Sequence, residues 1–234
     1  LFSKAQVDQI TAIAKKSITN QPVKSVKKVS SINDELQSMS LAVQEYFSDS
    51  DALNITDKDA LHEYVTQAIE SGFVGIDTET TGLDRNSDYI VGASLYYPGG
   101  VEVYIPFKHR IPIFEDLYKN QLTYEDFAEE LGRFVEAKTK MIFANGNFDL
   151  YMIWKDIKIN LCPCFYYDVI LAWRCLKENE LHNGLKYLYN KYVLKGKGDP
   201  KAFSDFFSPA LFPYCKPEIA KLYAANDAKI TYEL

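Results

Sequence analysis

Three observations place this chain in the α/β class. Strand-like runs come first and lie close together, at 73–78, 89–96 and 101–105. After them, helix-like and strand-like segments alternate, a pattern that fits a mixed central sheet covered by helices. The chain has 234 residues, 47% of them hydrophobic, enough to bury one good-sized core with a small N-terminal appendage.

Residues 1 to about 30 carry six lysines and one aspartate. Apart from a short helix-like stretch at 7–16 they lack periodicity, and they read as an arm or linker. Ser31 is placed to cap a helix running to about Phe47, and Ser48 to Asp51 break it. Thr56 with Asp59 resembles a capping arrangement. Leu61, Tyr64, Val65, Ala68 and Ile69 then recur at helical spacing up to Gly72. Phe73 to Ile76 form a short apolar run directly after that glycine and read as a buried strand. The alternation of Val101, Val103 and Ile105 supports the third strand. A helix near 124–138, a strand at 141–144, a helix at 148–155 opened by Asn147, a short strand near 158–161 and further helices complete the chain. In the last helix Pro217 and Glu218 suit a first turn, and Ile219, Leu222 and Ile230 are spaced as a buried stripe. The domains expected are an arm with a helical extension at 1–56 and a main domain at 57–234.

Several classes fall away. No apolar run is long enough to span a bilayer, and the start carries no signal-peptide pattern. Four cysteines make no disulfide framework in a chain of this size. Cys162 and Cys164 lack two further zinc ligands at motif spacing, so reduced thiols in a cytoplasmic protein are expected. A net charge of −6 argues against a broad duplex-binding surface. Lys191, Lys195, Lys197 and Lys201 surround a glycine-containing loop that reads either as a backbone contact for a nucleic acid or as a solvated loop.

The chemistry-bearing residues lie in three separated patches. Asp77 and Glu79 stand at the end of the first strand, where alternation points both to one face. Thr80, Thr81 and Gly82 follow as a turn, with Leu83 after them. Asp149 follows Asn145-Gly146-Asn147 in the first turn of a helix, where the dipole favours a negative charge whether or not the residue has a further role. Tyr223 and Asp227 are four residues apart in the last helix and share a neighbouring face. Oxygen donors of this kind select hard cations such as Mg²⁺ or Mn²⁺.

In this order the patches resemble the three motifs of the DEDD 3′→5′ exonucleases, in the subtype with a tyrosine in the third motif. Leu222 stands where the sister subtype has histidine. Val103 to Pro106, with His109 after them, and Gly184 to Tyr192 resemble the intervening segments of the proofreading domain of family A (DNA polymerase I-like) DNA polymerases, and a phage-encoded one is compatible. The resemblance covers roughly 57–234. It implies an RNase H-like fold and two divalent cations that hydrolyse a phosphodiester. It further implies that Asp77 bridges both cations and that Glu79 and Asp227 complete one site. Asp149 supports the other through waters, and Tyr223 orients the attacking water. Asn145 and Thr80 would meet the terminal nucleotide. Leu83 reads either as a wedge against the terminal bases or as a core leucine, and Phe206 and Phe207 either as stacking platforms or as core. The substrate implied is a single-stranded DNA 3′ end or a frayed primer terminus, at the nucleoid or a phage replication site in a bacterial host. The chain opens with Leu1, and Ala228 to Leu234 lack a helix stop signal. Both features suggest a piece of a longer protein continuing into a polymerase module. The competing readings are a stand-alone RNA-trimming exonuclease of the RNase D type and a non-catalytic nucleic-acid-binding scaffold.

Overall fold

The computed structural model describes residues 24–112, 114–180, 182 and 184–234, so the helix expected at 7–16 lies outside the described residues. The chain forms two compact units, one up to Ser38 and one from Met39 to Leu234. The described part of the first is the opening of helix α1 (Lys24–Tyr46). This helix passes through Ser31 instead of starting there. Serine in a helix interior costs only about 0.5 kcal/mol relative to alanine, too little to end a helix.

The second unit is built on a six-stranded sheet. Its strands are β1 (Leu53–Asn54), β2 (Phe73–Thr80), β3 (Ile90–Tyr96), β4 (Val103–Pro106), β5 (Lys140–Phe143) and β6 (Phe165–Asp168), in the order β1-β4-β3-β2-β5-β6. β2, β3 and β4 form the antiparallel meander. β5 and β6 add in parallel beside β2, and β1 runs parallel to β4. The mixed α/β sheet expected from the sequence is therefore present. Two strands differ from expectation. β1 is too short to show a period. The strand expected near 158–161 is instead β6: Leu161 is buried in the core, and a 3₁₀ turn at Cys162–Cys164 delays the strand. β6 is an edge strand whose Phe165, Tyr166 and Tyr167 are exposed, so it lacks the buried alternation that marks a strand.

One face of the sheet is covered by α2 (Lys58–Ser71), α3 (Tyr124–Ala137) and α4 (Gly146–Asp156). Leu61, Val65, Phe127, Leu131, Met152 and Ile153 pack there against Val74, Ile76 and Leu95. Asp57, not Thr56, caps α2, accepting from the Ala60 amide at 2.9 Å. Then come α5 (Val169–Leu176), α6 (Leu185–Tyr192), α7 (Phe203–Phe206) and α8 (Pro217–Glu233). α8 lies on the opposite face of β2. A Cβ on Gly75 would stand 2.4 Å from the Ala228 carbonyl oxygen, so the bare glycine admits the helix. Ala220, Ala224, Ala225 and Ala228 are fully buried along α8 and permit the same close approach. The expected stripe of Ile219, Leu222 and Ile230 is accordingly corrected: Leu222 is only partly buried, and alanines with Tyr223 form most of the seam.

Candidate active site

Strand alternation separates the two sides of β2. Val74 and Ile76 enter the core, while Gly75, Asp77 and Glu79 face α8. Because Gly75 brings α8 close, the turn after Tyr223 delivers Asp227 to the same place. Carboxylate oxygens of Asp77, Glu79 and Asp227 lie within 4.8 Å of one another. Asp149 approaches from α4. Its Oδ1 accepts from the Thr78 amide at 3.1 Å and from the Thr78 hydroxyl at 2.6 Å. It thus sits in a helix first turn and against the acidic strand end at once, so its two readings coexist.

The turn into α4 begins earlier than expected. Asn145, not Asn147, is the cap residue, in the left-handed region at φ 68°, and its side chain makes no capping bond. Asp168 takes over that task. Its carboxylate accepts from the amides of Asn145 at 3.2 Å and Gly146 at 2.7 Å, and from Ile170 and Leu171 at the start of α5, both at 2.9 Å. One buried carboxylate therefore fixes two helix starts and the turn carrying Asn145.

Burial raises the proton affinity of Asp77, Glu79 and Asp149, and neighbouring carboxylates add to it. Burial pushes Glu79 up to about 7 and Asp149 up to about 6, the latter against the Thr78 hydrogen bonds that favour its ionised form. Burial, with Asp149 and Glu79 as neighbours, holds Asp77 well above the usual carboxylate range. The compensating cation is Lys186, at the start of α6. Its Nζ pairs with Asp227 and lies 4.7 Å from the Tyr223 ring centroid. Burial pulls Lys186 down to about 8, opposed by Asp77 and Glu79. Burial, with Glu79 and Asp77 nearby, holds the Tyr223 hydroxyl protonated.

All eight residues singled out from the sequence line one cavity of about 420 Å³: Asp77, Glu79, Thr80, Leu83, Asn145, Asp149, Tyr223 and Asp227. Leu83 is 85% exposed at its rim, which excludes the core reading. Phe206 and Phe207 pack against Tyr223 with ring centroids 6.2 and 5.6 Å away; Phe207 is buried, as the core reading expects, while Phe206 is only partly buried. Phe47 and Phe203 close the same aromatic cluster around Tyr223. In the lysine-bearing loop, Lys191 pairs with Glu180 and Lys201 with Asp199. Sequence reasoning missed Thr78, Asp168, Phe203 and above all Lys186. Thr78 is flanked by the two acids and had a signal in its hydroxyl. Lys186 lies between Leu185 and Tyr187 in an amphipathic helix and gives no sign of burial.

Residues 53–234 match the 3′-5′ exonuclease family of A-type DNA polymerases, and the chain belongs to that family. It is 26% identical over 185 residues to DNA polymerase I of Borreliella burgdorferi, a match covering 77% of this chain and 19% of that protein, so it spans about a fifth of that relative's length. Trypanosoma brucei RNase D, solved as a GMP complex, superposes with a TM-score of 0.57 at 13% identity, covering 84% of this chain and 57% of that one. The Aedes aegypti Nibbler EXO domain gives 0.53 at 12% identity, with 78% and 85% covered. Escherichia coli RNase D gives 0.52 at 18% identity, with 77% and 44% covered. These likenesses establish the shared fold. The domain is that of a metal-dependent 3′-5′ exonuclease. No helix among the described residues is long and apolar enough to cross a membrane.

Proposed function

We propose that this domain removes nucleotides one at a time from single-stranded or frayed DNA 3′ ends, as the proofreading part of a DNA polymerase I-like enzyme. In this reading residues 57–234 form the exonuclease domain, residues 1–56 precede it as an arm and helical extension, and a polymerase module belongs to the same protein. The observation that carries the reading is the juxtaposition of Asp77, Glu79 and Asp227 within 4.8 Å, with Asp149 behind them and Tyr223 beside them in one cavity.

The site fits two Mg²⁺ or Mn²⁺ ions. Its donors are all oxygens, and buried carboxylates with raised proton affinity are an unbalanced charge that cations would neutralise. Asp77, Glu79 and Asp227 would hold one ion, and Asp77 with Asp149 the other. Bound there, the pair would supply an activated water and neutralise charge on the phosphate. The chain's own residues do the rest. Thr78 fixes Asp149 through two hydrogen bonds, so that carboxylate is pre-oriented. Tyr223 keeps its proton and serves as a hydrogen-bonding group that orients water, not as a base. Leu83 at the rim would wedge against the terminal base, and Asn145 and Thr80, which line the same cavity, would meet the terminal nucleotide.

The test uses 5′-labelled single strands, matched and mismatched primer-templates, and an RNA of the same sequence. Stepwise shortening from the 3′ end with release of 5′-mononucleotides is expected in Mg²⁺ or Mn²⁺. It should be faster on mismatched termini and absent in EDTA. Preference for the RNA strand would replace the proofreading reading with RNA trimming. Digestion in EDTA, or from the 5′ end, would refute both.

A further inference from the structure

Resting on the reading that a strand 3′ end occupies this site, we infer that Lys186 binds the phosphate linking the terminal nucleotide to the one before it. The terminal nucleotide would lie in the cavity already described and its predecessor in a second, adjoining cavity.

That second cavity, about 480 Å³, is lined by Lys186, Tyr187, Ala202, Phe203, Tyr223 and Asp227 among others. Ala202, Phe203, Tyr223 and Asp227 also line the first, so the two meet along this ridge. Both fall within the size range of small-ligand pockets. A strand laid across both must place a phosphate at the junction. Lys186 is the one lysine or arginine among the described residues lining either cavity. An ammonium has three donors, and among the described residues its single hydrogen bond goes to Asp227. Its position is set by packing. On α6 Leu188 is buried with Val169, Ile170 and Trp173, and Tyr189 donates to Glu233 of α8 at 2.7 Å. When cations take Asp227, the ammonium loses its partner at the spot where the strand supplies another anion. Tyr187, half-exposed in the second cavity, offers a ring face to the preceding base.

The test measures binding, not turnover. Ca²⁺ replaces Mg²⁺ to hold the strand uncleaved, and fluorescence anisotropy compares oligonucleotides whose terminal linkage is a phosphate or a neutral methylphosphonate. The neutral linkage should weaken wild-type binding on the order of tenfold more than it weakens Lys186→Met, the size of one charge-assisted hydrogen bond. Lys186→Arg should restore the difference. Moving the neutral linkage one nucleotide inward should abolish the distinction between the proteins. Equal losses for wild type and Lys186→Met, with Lys186→Met merely binding Ca²⁺ more tightly, would reduce Lys186 to an internal partner of Asp227 and overturn the inference alone. A wild-type protein that binds no 3′ end under any condition would overturn the functional reading as well. If Lys186→Met fails to fold, the linkage series is run on wild type and Lys186→Gln, with the same outcomes deciding.

Discussion

Gly75 shapes the site although it does not line the cavity, and Gly75→Ala measures how much. The added methyl would stand 2.4 Å from the Ala228 carbonyl oxygen, where ordinary contact begins near 3.4 Å. The difference, 3.4 − 2.4 = 1.0 Å, has to come from movement of the helix or the strand, because the opposing atom is backbone. Asp227 is the residue immediately before Ala228, so it moves with it. Overpacking of this kind costs about 1–3 kcal/mol of stability. A displacement of about 1 Å at a reacting centre costs about 10²-fold in rate. Both effects are read on one preparation: thermal unfolding for stability, and single-turnover digestion of a labelled single strand in Mg²⁺ for rate. Gly132→Ala is the control. Gly132 lies in α3 with nothing within 4 Å of its added Cβ, so alanine there should leave the rate unchanged and raise stability by about 0.5–1 kcal/mol. Wild-type rate and melting temperature in Gly75→Ala would refute the argument that the bare strand face sets the depth of α8.

Two further outcomes are expected. Asp77→Ala should abolish detectable digestion, whereas Tyr223→Phe keeps the ring wedged among Phe47, Phe203, Phe206 and Phe207 and should cost roughly 10²- to 10³-fold, one transition-state hydrogen bond; equal and negligible losses in a rate assay would contradict the assignment. The second concerns pH. Asp149 and Glu79, raised to about 6 and about 7, stabilise the cation-free fold at low pH and lose that contribution as pH rises through those values. Cations need the ionised forms, so the melting-temperature gain on adding Mg²⁺ to EDTA-treated protein should be small at pH 5 and grow toward pH 8. His109, pulled down to about 3 by burial, acts on both states alike and cancels from that difference. A gain that shrinks over the same range would show that these carboxylates do not hold the cations.

What the sequence revealed and what it concealed divide along a physical line. Asp77 with Glu79, Asp149, and Tyr223 with Asp227 are each local pairings of an acid with a strand end or a helix turn, so short windows carried them. The meander was legible because Val74, Ile76, Leu95 and Ile105 cluster within short apolar runs. β6 was not, because an edge strand with three exposed aromatics has no buried face to announce it. The start of α4 was misplaced by two residues because its cap comes from Asp168, far along the chain. Lys186 was invisible for the same reason: its burial depends on α6 docking beside α8, and no local pattern encodes that.

These misses concern the parts that make the acidic centre tolerable. Carboxylates buried side by side disfavour the fold unless something offsets them. Here the offset has three sources: two hydrogen bonds from Thr78 to Asp149, protons retained at higher pH than usual, and the Lys186 ammonium against Asp227. In the proposed reading the first would remain when cations bind, and the other two would yield. Such a site would exchange protons and an ammonium for divalent charge, and occupancy, stability and pH would then form one linked equilibrium. Beneath the acids, Ala224, Ala225 and Ala228 are fully buried along α8, and Phe47, Phe203, Phe206 and Phe207 pack around the Tyr223 ring. In that exchange the acids would change partners while the packing beneath them stays in place.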